Sequence, residues 1–412
     1  MTVSRRNVMK AGLATGALIG APAYLRAQSG PIQIGAMLPL SGPQAQAGEA
    51  SLAGARVAVA MFNEAGGLKG RTVDIVQFDD KGTAQGAVAA LREMESKRVN
   101  LLVGGIQSPM AFAILPALPE AKAVCVGSAS AISLTHENFS PNFFRLHPHA
   151  SMIYRGLGQV VGAKFRDVGK WASVCFDSQA GRDAAASFEA GYKTTGKKDA
   201  QFAAPVLVAP TAPDFKVEIT NLMNSDVEGL YLGILVGPAI AFLQQARSVG
   251  LTKKLRVIGE GGTDLVIARA MKQNTPENLW SPGAWYPDAE PFKSGAFAKA
   301  VYEKYVKLTG DKYPVGLTAS IGHRCTLGLL EGMKKAGSTE TAAVQAALKG
   351  LTFETLTGPY TIRAEDHQGY GQAVVANLGP SAAEPFYAAT NVTFYDESTV
   401  LEPATPGVAF KF

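Results

Sequence analysis

The sequence predicts an α/β fold of two doubly wound lobes, each built on a mostly parallel sheet. Short apolar, strand-like runs alternate with segments of helical periodicity along the chain. These βα units gather into two successive blocks, the first closing near Phe143-Phe144-Arg145-Leu146-His147. With a leader removed, about 385 of the 412 residues remain, more than one hydrophobic core usually serves, so two lobes are expected.

Residues 1–27 read as a signal peptide. Ser4-Arg5-Arg6-Asn7-Val8-Met9-Lys10 precedes an apolar run over 11–23 and small residues near Ala27. The Arg5-Arg6 pair matches the twin-arginine export signal, with an ordinary secretory leader as the alternative. Either one places the mature chain outside the cytoplasm. Removing Arg5, Arg6, Lys10 and Arg26 takes the formal charge from +5 to +1, and that near-neutral balance gives nucleic-acid binding no support. Beyond the leader no apolar stretch reaches membrane-spanning length. Cys125 and Cys175 lie inside strand-like runs and Cys325 heads an apolar helix pattern, so three buried thiols without a structural disulfide are expected.

The first unit, residues 34–71, reads as a short strand, a Gly/Pro/Ser loop and a helix. Its apolar residues Leu52, Ala55, Val59 and Phe62 recur at helical spacing until Gly66-Gly67 stop it. A loop leading into a helix gathers backbone N–H groups toward a small ligand, and this loop holds no nucleophile, metal-ligand cluster or phosphate motif. Residues 72–78 alternate as a strand ending at Asp79-Asp80, whose carboxylates point apart and cap the next turn rather than form an acid/base pair. A helix over 85–95, a strand over 99–103, a short helix within 108–121 broken by Pro116 and Pro119, and a strand over 123–126 follow. In the second block the helices are expected over 152–165, 182–192 and 236–249, and the strands over 171–176, 205–208 and 255–259, the last of that block. Pro, Gly and aromatic residues concentrate over 282–287, before helices over 292–308 and 321–335.

Enzymatic signatures are missing. Gly156-x-Gly158-x-x-x-Gly162 lies within a helix pattern, and Gly259-x-Gly261-Gly262 lacks the third glycine of a dinucleotide fingerprint. There is no P-loop and no Gly-x-Ser-x-Gly elbow. His147-Pro148-His149 is the one close pair among five histidines; with no third ligand nearby it reads as a polar segment, and no metal or other cofactor is assigned. No catalytic residue is assigned either.

The opening unit carries Pro39-Leu40-Ser41-Gly42-Pro43, Gly48, Gly54-Ala55 and Asn63-x-Ala65-Gly66-Gly67-x-x-Gly70-Arg71. In these residues the chain resembles the leucine/isoleucine/valine-binding family, type I periplasmic receptors of ABC importers. The likeness continues through Asp214-Phe215, Ile219, Leu222, Asp226 and Tyr231. It implies two lobes joined by a three-segment hinge, a non-enzymatic, monomeric receptor in the periplasm, and a membrane permease as partner. The expected lobes are 31–147 with 285–356, and 148–284 with 357–412. The crossings then fall near 148, at 282–287 and near Gly358-Pro359-Tyr360.

Ser108-Pro109, straight after a strand and Gly104-Gly105, reads as an N-cap serine with proline at the first helical position. It is either a plain helix cap or, as the resemblance implies, the hydroxyl that holds a ligand carboxylate. By the same likeness the second anchor is Ser128-Ala129-Ser130, with Ala131 where the family has threonine. The expected contacts also include Gln107, Gln179 and Ala47, Ala180 and Leu235. The family places bulky side chains at Ala47, at Ala180 and near Leu235 or Val236, and a glutamate for the ligand ammonium at Gly261, beside Glu260 and Asp264. The wall positions are therefore small here, and a buried ammonium with no carboxylate partner would cost several kcal/mol. The ligand is accordingly either a branched-chain amino acid or a larger aromatic or keto acid. Trp280, Trp285 and Tyr286 either stack on it or belong to a lobe core. His323-Arg324 stands where relatives have Tyr-Asp, and Arg324 is expected at the surface. A signalling sensor of the same fold is the second reading, and an α/β enzyme the third.

Overall fold

The computed structural model describes residues 30–42, 44–209, 212, 214–314 and 316–410; the leader at 1–27 lies outside them. The first sheet takes strands β1 (Ile32–Leu38), β2 (Val73–Asp79), β3 (Leu101–Gly104), β4 (Val124–Gly127) and β5 (Phe143–Arg145), all parallel, in the order β2-β1-β3-β4-β5. Helices α1 (Ala45–Glu64), α2 (Ala84–Ser96) and α3 (Ser108–Ile114) connect these strands. The second sheet begins with β6 (Lys170–Phe176), β7 (Gln201–Phe202), β8 (Val206–Val208), β9 (Gly229–Gly233), β10 (Val257–Glu260) and β11 (Leu279–Gly283). β6 pairs with β7, β8 and β9, β9 with β10 and β10 with β11, again all parallel. The two sheets thus repeat one winding order.

Both faces of each sheet are covered, as a doubly wound sheet requires. On the first, Ala58, Val59 and Phe62 pack with Leu329, Leu330 and Met333 of α11 (Gly316–Ala336) against one face, while Leu91, Met94 and Met110 fill the other. On the second, Leu157 and Phe188 from α4 (Ala150–Lys164) and α5 (Gln179–Thr195) cover one face. Phe242 and Leu243 of α7 (Gly237–Ser248) and Ile267 of α9 (Leu265–Met271) cover the other. The helices between them are α6 (Lys216–Asn224) and α8 (Leu251–Lys254), and α10 (Ala296–Thr309) and α12 (Thr341–Leu348) complete the set.

Three sequence expectations need correction. Residues 255–259 are not the last strand of the block, because β11 follows; its Pro282 lies beyond Trp280, the last residue in register with β10, so the missing N–H breaks no ladder bond on that side. The helix expected from 292 starts at Ala296, after the turn through Gly295. The chain also forms a hairpin of β12 (Thr352–Thr355) and β13 (Gly358–Ile362) where a crossing was expected. The passage is made by β14 (Gly369–Pro380), whose start pairs with β13 and whose later residues pair antiparallel with β11 and with β15 (Tyr387–Asp396). Cys125, Cys175 and Cys325 are buried and unpaired, and burial pushes each thiol upward, the last two to about 12.

His323-Arg324 is also buried, contrary to the surface expectation. Arg324 Nε donates to the Leu146 carbonyl at 2.8 Å, and its guanidinium lies over the Tyr360 ring, 4.7 Å from the centroid. A backbone acceptor, the His147 ring nitrogen at 3.1 Å and an aromatic face hold this cation, with no carboxylate in a direct salt bridge to it among the described groups.

Helices α1 and α11 touch backbone to backbone through glycines. A Cβ on Gly54 would lie 1.9 Å from the Ala319 carbonyl oxygen, and one on Gly322 2.0 Å from that of Ser51. Gly322→Ala should therefore destabilise the protein by about 1–3 kcal/mol through overpacking. Gly237→Ala, where nothing lies within 4 Å, should stay within about 0.5 kcal/mol. Urea unfolding of both variants measures the difference.

Candidate functional site

In each sheet the winding reverses once, between β1 and β3 and between β6 and β9, and such a switch point leaves a crevice at the carboxyl ends of the strands. Every sequence-predicted site residue follows such an end. Ala47 lies in the first turn of α1 after β1, Gln107 and Ser108 follow β3, and Ser128, Ala129 and Ser130 follow β4. Gln179 and Ala180 open α5 after β6, Leu235 follows β9, and Glu260 and Gly261 close β10.

On the first sheet, α3 begins at Ser108, one residue earlier than expected: Gln107 is the N-cap, and its side chain makes no capping bond. The Ser108 hydroxyl instead accepts from the Ala131 N–H at 3.1 Å, which leaves its own proton free to be donated outward. Ala129 N–H donates to Gly105 O, and Ala150 N–H to Ser130 O. No described group accepts from the Ser130 N–H. Ser108 and the 128–131 loop are thus one hydrogen-bonded unit.

Sequence reasoning missed the residue that holds this unit from behind. Arg145, the last residue of β5, is fully buried; its guanidinium donates to the carbonyls of Ala129 (3.3 Å) and Ala131, to Thr135 Oγ1 and to Gln368 Oε1 at 2.6 Å. All of these acceptors are neutral. Burial pulls this guanidinium down to about 9, a measure of how poorly the charge is solvated. The only signal in the sequence was an arginine ending an apolar strand.

On the second sheet, Gln179 and Ala180 are exposed; Gln179 Nε2 donates to Asp183, and Ser178 caps α5 by accepting from the Gly181 N–H. Leu235 and Val236 are 37% and 56% exposed, two adjacent apolar side chains at the end of β9. Val236 has φ +53, a conformation costly for a β-branched residue, and its N–H is held by Thr263 Oγ1 at 3.0 Å.

Of the two acids near Gly261, Glu260 has no oxygen left for a ligand, and Asp264 keeps one buried oxygen, Oδ2, without a partner among the described groups. Glu260 is fully buried; Oε1 accepts from the Gly262 and Asp264 N–H groups and from Ser281 Oγ, and Oε2 accepts from Thr263 N–H. Asp264 is buried beside it, and Oδ1 accepts from Tyr286 at 2.6 Å. Burial raises the Asp264 carboxyl to about 7, the Tyr286 hydrogen bond opposing the shift and the Glu260 charge adding to it. A Cβ at Gly261 would lie 3.0 Å from Leu235 Cδ2, so an apolar side chain occupies the space a longer residue there would enter. Trp280, Trp285 and Tyr286 are core residues: Trp280 meets Phe165 edge-on, Trp285 packs on Tyr302 and Tyr305, and Tyr286 anchors Asp264.

The sequence profile of the periplasmic binding proteins matches residues 31–384. The chain belongs to the periplasmic binding protein family. Among curated relatives of this receptor, the Leu/Ile/Val-binding protein homolog 4 of Brucella abortus (strain 2308) is 25% identical over 402 residues, covering 92% of this chain and 91% of the relative. The closed leucine-, isoleucine-, valine-, threonine-, and alanine-binding protein of Brucella ovis superposes with a TM-score of 0.79 at 21% identity, over 92% of this chain and 99% of that one. The solute-binding protein of an ABC transporter from Rhodopseudomonas palustris BisB5, in complex with 3,4-dihydroxybenzoic acid, superposes with a TM-score of 0.73 at 20% identity, over 89% and 98% of the two chains. These solved structures share the fold, with two α/β lobes.

In this receptor Asp264 should make stability depend on pH in a defined direction. A carboxyl raised to about 7 in the folded state keeps its proton where the unfolded chain, near 4, has lost it, so its contribution is full below about pH 4 and lost as pH rises through 7. Asp264→Asn, neutral throughout, should match the parent near pH 4 and melt about 3 °C or more above it at pH 8 in scanning calorimetry.

Proposed function

We propose that this protein is an extracytoplasmic solute receptor that encloses a small carboxylate with an apolar or aromatic body and no ammonium group, and delivers it to the permease of an ABC importer. The observation that carries this reading is the state of the ammonium position. Leu235 abuts Gly261, and the oxygens of Glu260 are used by its own loop. A cationic amine placed there would lose its hydration without gaining a charge partner.

The other half of the ligand suits an anion. Ser108 Oγ–H and Ser130 N–H offer donors in front of the Arg145 guanidinium, and a charge-assisted hydrogen bond to a carboxylate is about twice as strong as a neutral one. Leu235 and Val236 supply apolar surface opposite, which suits a ring or a branched chain. The benzoic acid derivative held by the R. palustris protein has this chemistry. A branched-chain amino acid, in keeping with the name of the Brucella relative, is the competing ligand.

The lobes in this reading are 31–147 with 285–362 and 148–284 with 369–412, the boundary shifted by the β12–β13 hairpin, and binding between them in a crevice excludes water from the anchoring bonds. The protein acts as a monomer, reaches the periplasm through the Arg5-Arg6 signal, and makes or breaks no bond in its ligand.

Thermal-shift titration with benzoate, 4-hydroxybenzoate, phenylpyruvate, leucine and valine tests the ligand class. An aromatic or keto acid should raise the melting temperature while leucine and valine do not; the reverse result overturns the proposal. Ser108→Ala should weaken binding of the active acid by roughly tenfold or more in isothermal titration, with the fold unchanged by circular dichroism.

A further inference from the structure

In the segments that follow the 128–131 loop and β5, and in the tail, three metal-ligating side chains converge. His136 follows the turn Ile132–Thr135, His149 caps α4, and Glu402 lies in the tail beyond β15. Glu402 Oε1 is 2.6 Å from His149 Nε2 and 3.4 Å from His136 Nε2, and the three donor atoms all lie within 4.8 Å of one another. Both imidazoles are 1% exposed. His147, the sequence neighbour, points elsewhere: its Nδ1 is 3.1 Å from Arg324.

The polar atoms of this cluster are poorly satisfied. Glu402 Oε1 accepts from His149 Nε2 at 2.6 Å, while His136 Nε2 and Glu402 Oε2 are buried without a close hydrogen-bond partner among the described groups. The outer nitrogen of His136 is held at 2.7 Å by Thr405 Oγ1, as the second nitrogen of a metal-bound imidazole usually is. The Phe410 ring packs on both imidazoles, at 5.1 and 6.4 Å between centroids. Arg363 reaches Glu402 only at its backbone carbonyl, at 2.7 Å. Two imidazole nitrogens and a carboxylate oxygen thus converge in one buried spot, all within 4.8 Å of one another.

We propose that His136 Nε2, His149 Nε2 and a Glu402 oxygen form a binding site for a divalent transition-metal ion, Zn(II) being the best match to two nitrogens and one oxygen. The ion replaces the proton at His149 Nε2, which moves to Nδ1; α4 thereby gives up the long 3.4 Å cap from Met152 N–H in exchange for a metal bond. The three ligands come from the segment after the 128–131 loop, from the start of α4 and from the C-terminal tail, so the metal fastens the tail across the passage from the first sheet to the second.

The test uses tag-free mature protein, stripped with chelator, reloaded with Zn(II) and desalted. One metal per chain should remain by elemental analysis, the melting temperature should rise by roughly 3 °C or more, and Co(II) in place of Zn(II) should give visible d–d bands. His136→Gln and Glu402→Gln should lose the metal and the thermal shift while Ser108→Ala keeps both, which separates this site from the ligand anchor. No metal retained by the parent, or equal retention by both Gln variants, overturns the proposal. Circular dichroism of each variant establishes that loss of metal is not loss of fold.

Discussion

A buried arginine with only neutral partners organises the first half of the crevice. Arg145 ends β5, yet its guanidinium fixes two carbonyls of the 128–131 loop and, through Gln368, the strand that leads to the second sheet. The loop has its carbonyls turned inward to that cation, which leaves the Ser130 N–H and the Ser108 hydroxyl for something outside. A buried guanidinium whose hydrogen-bond acceptors are all neutral, with Asp366 and Glu402 acting on it only through space, also favours a further negative charge nearby. The geometry of this loop and the local charge preference thus have one source.

Around that group the passages between the sheets are stitched rather than loose. Gln368 Nε2 donates to His147 O at 3.0 Å, Arg145 N–H donates to His367 O, and the His367 ring stacks on Phe144 with 3.9 Å between centroids. Arg324 adds the Leu146 carbonyl from α11. A hinge built from hydrogen-bonded strand segments turns about a defined axis, and this lets two rigid sheets meet over a ligand repeatedly in the same register. α1 and α11, locked by Gly54 and Gly322, hold the body of the first lobe rigid behind it.

The second sheet contributes shape and the absence of charge. Glu260 and Asp264 stand beside the position where a carboxylate partner for an ammonium group was sought, but one is consumed by three backbone N–H groups and a serine, and the other is tethered to Tyr286. Proximity in sequence to a binding position does not make an acid a ligand. Whether its oxygens are free depends on the turn that follows it, here a tight one through Gly262, Thr263 and Asp264.

The order of elements was legible in the sequence. Helical and strand periodicities, Gly66-Gly67 as a stop and the Asp79-Asp80 turn follow from local forces, and those act within a few residues. The place of Ser108 was legible too, because a serine straight after an apolar strand and a glycine pair stands beyond that strand's carboxyl end. What local pattern could not decide was the use of polar side chains whose partners lie far along the chain. Arg324 looked like a surface charge until Leu146 and Tyr360 enclosed it, and β11 was hidden because Pro282 reads as a breaker unless its neighbours are known. Glu402 lies more than 250 residues from His149 and His136. The sequence by itself determined the alternation of strands and helices in two successive blocks. Only the tertiary structure decided which buried charges are satisfied, since that depends on donors and acceptors that folding alone brings within reach.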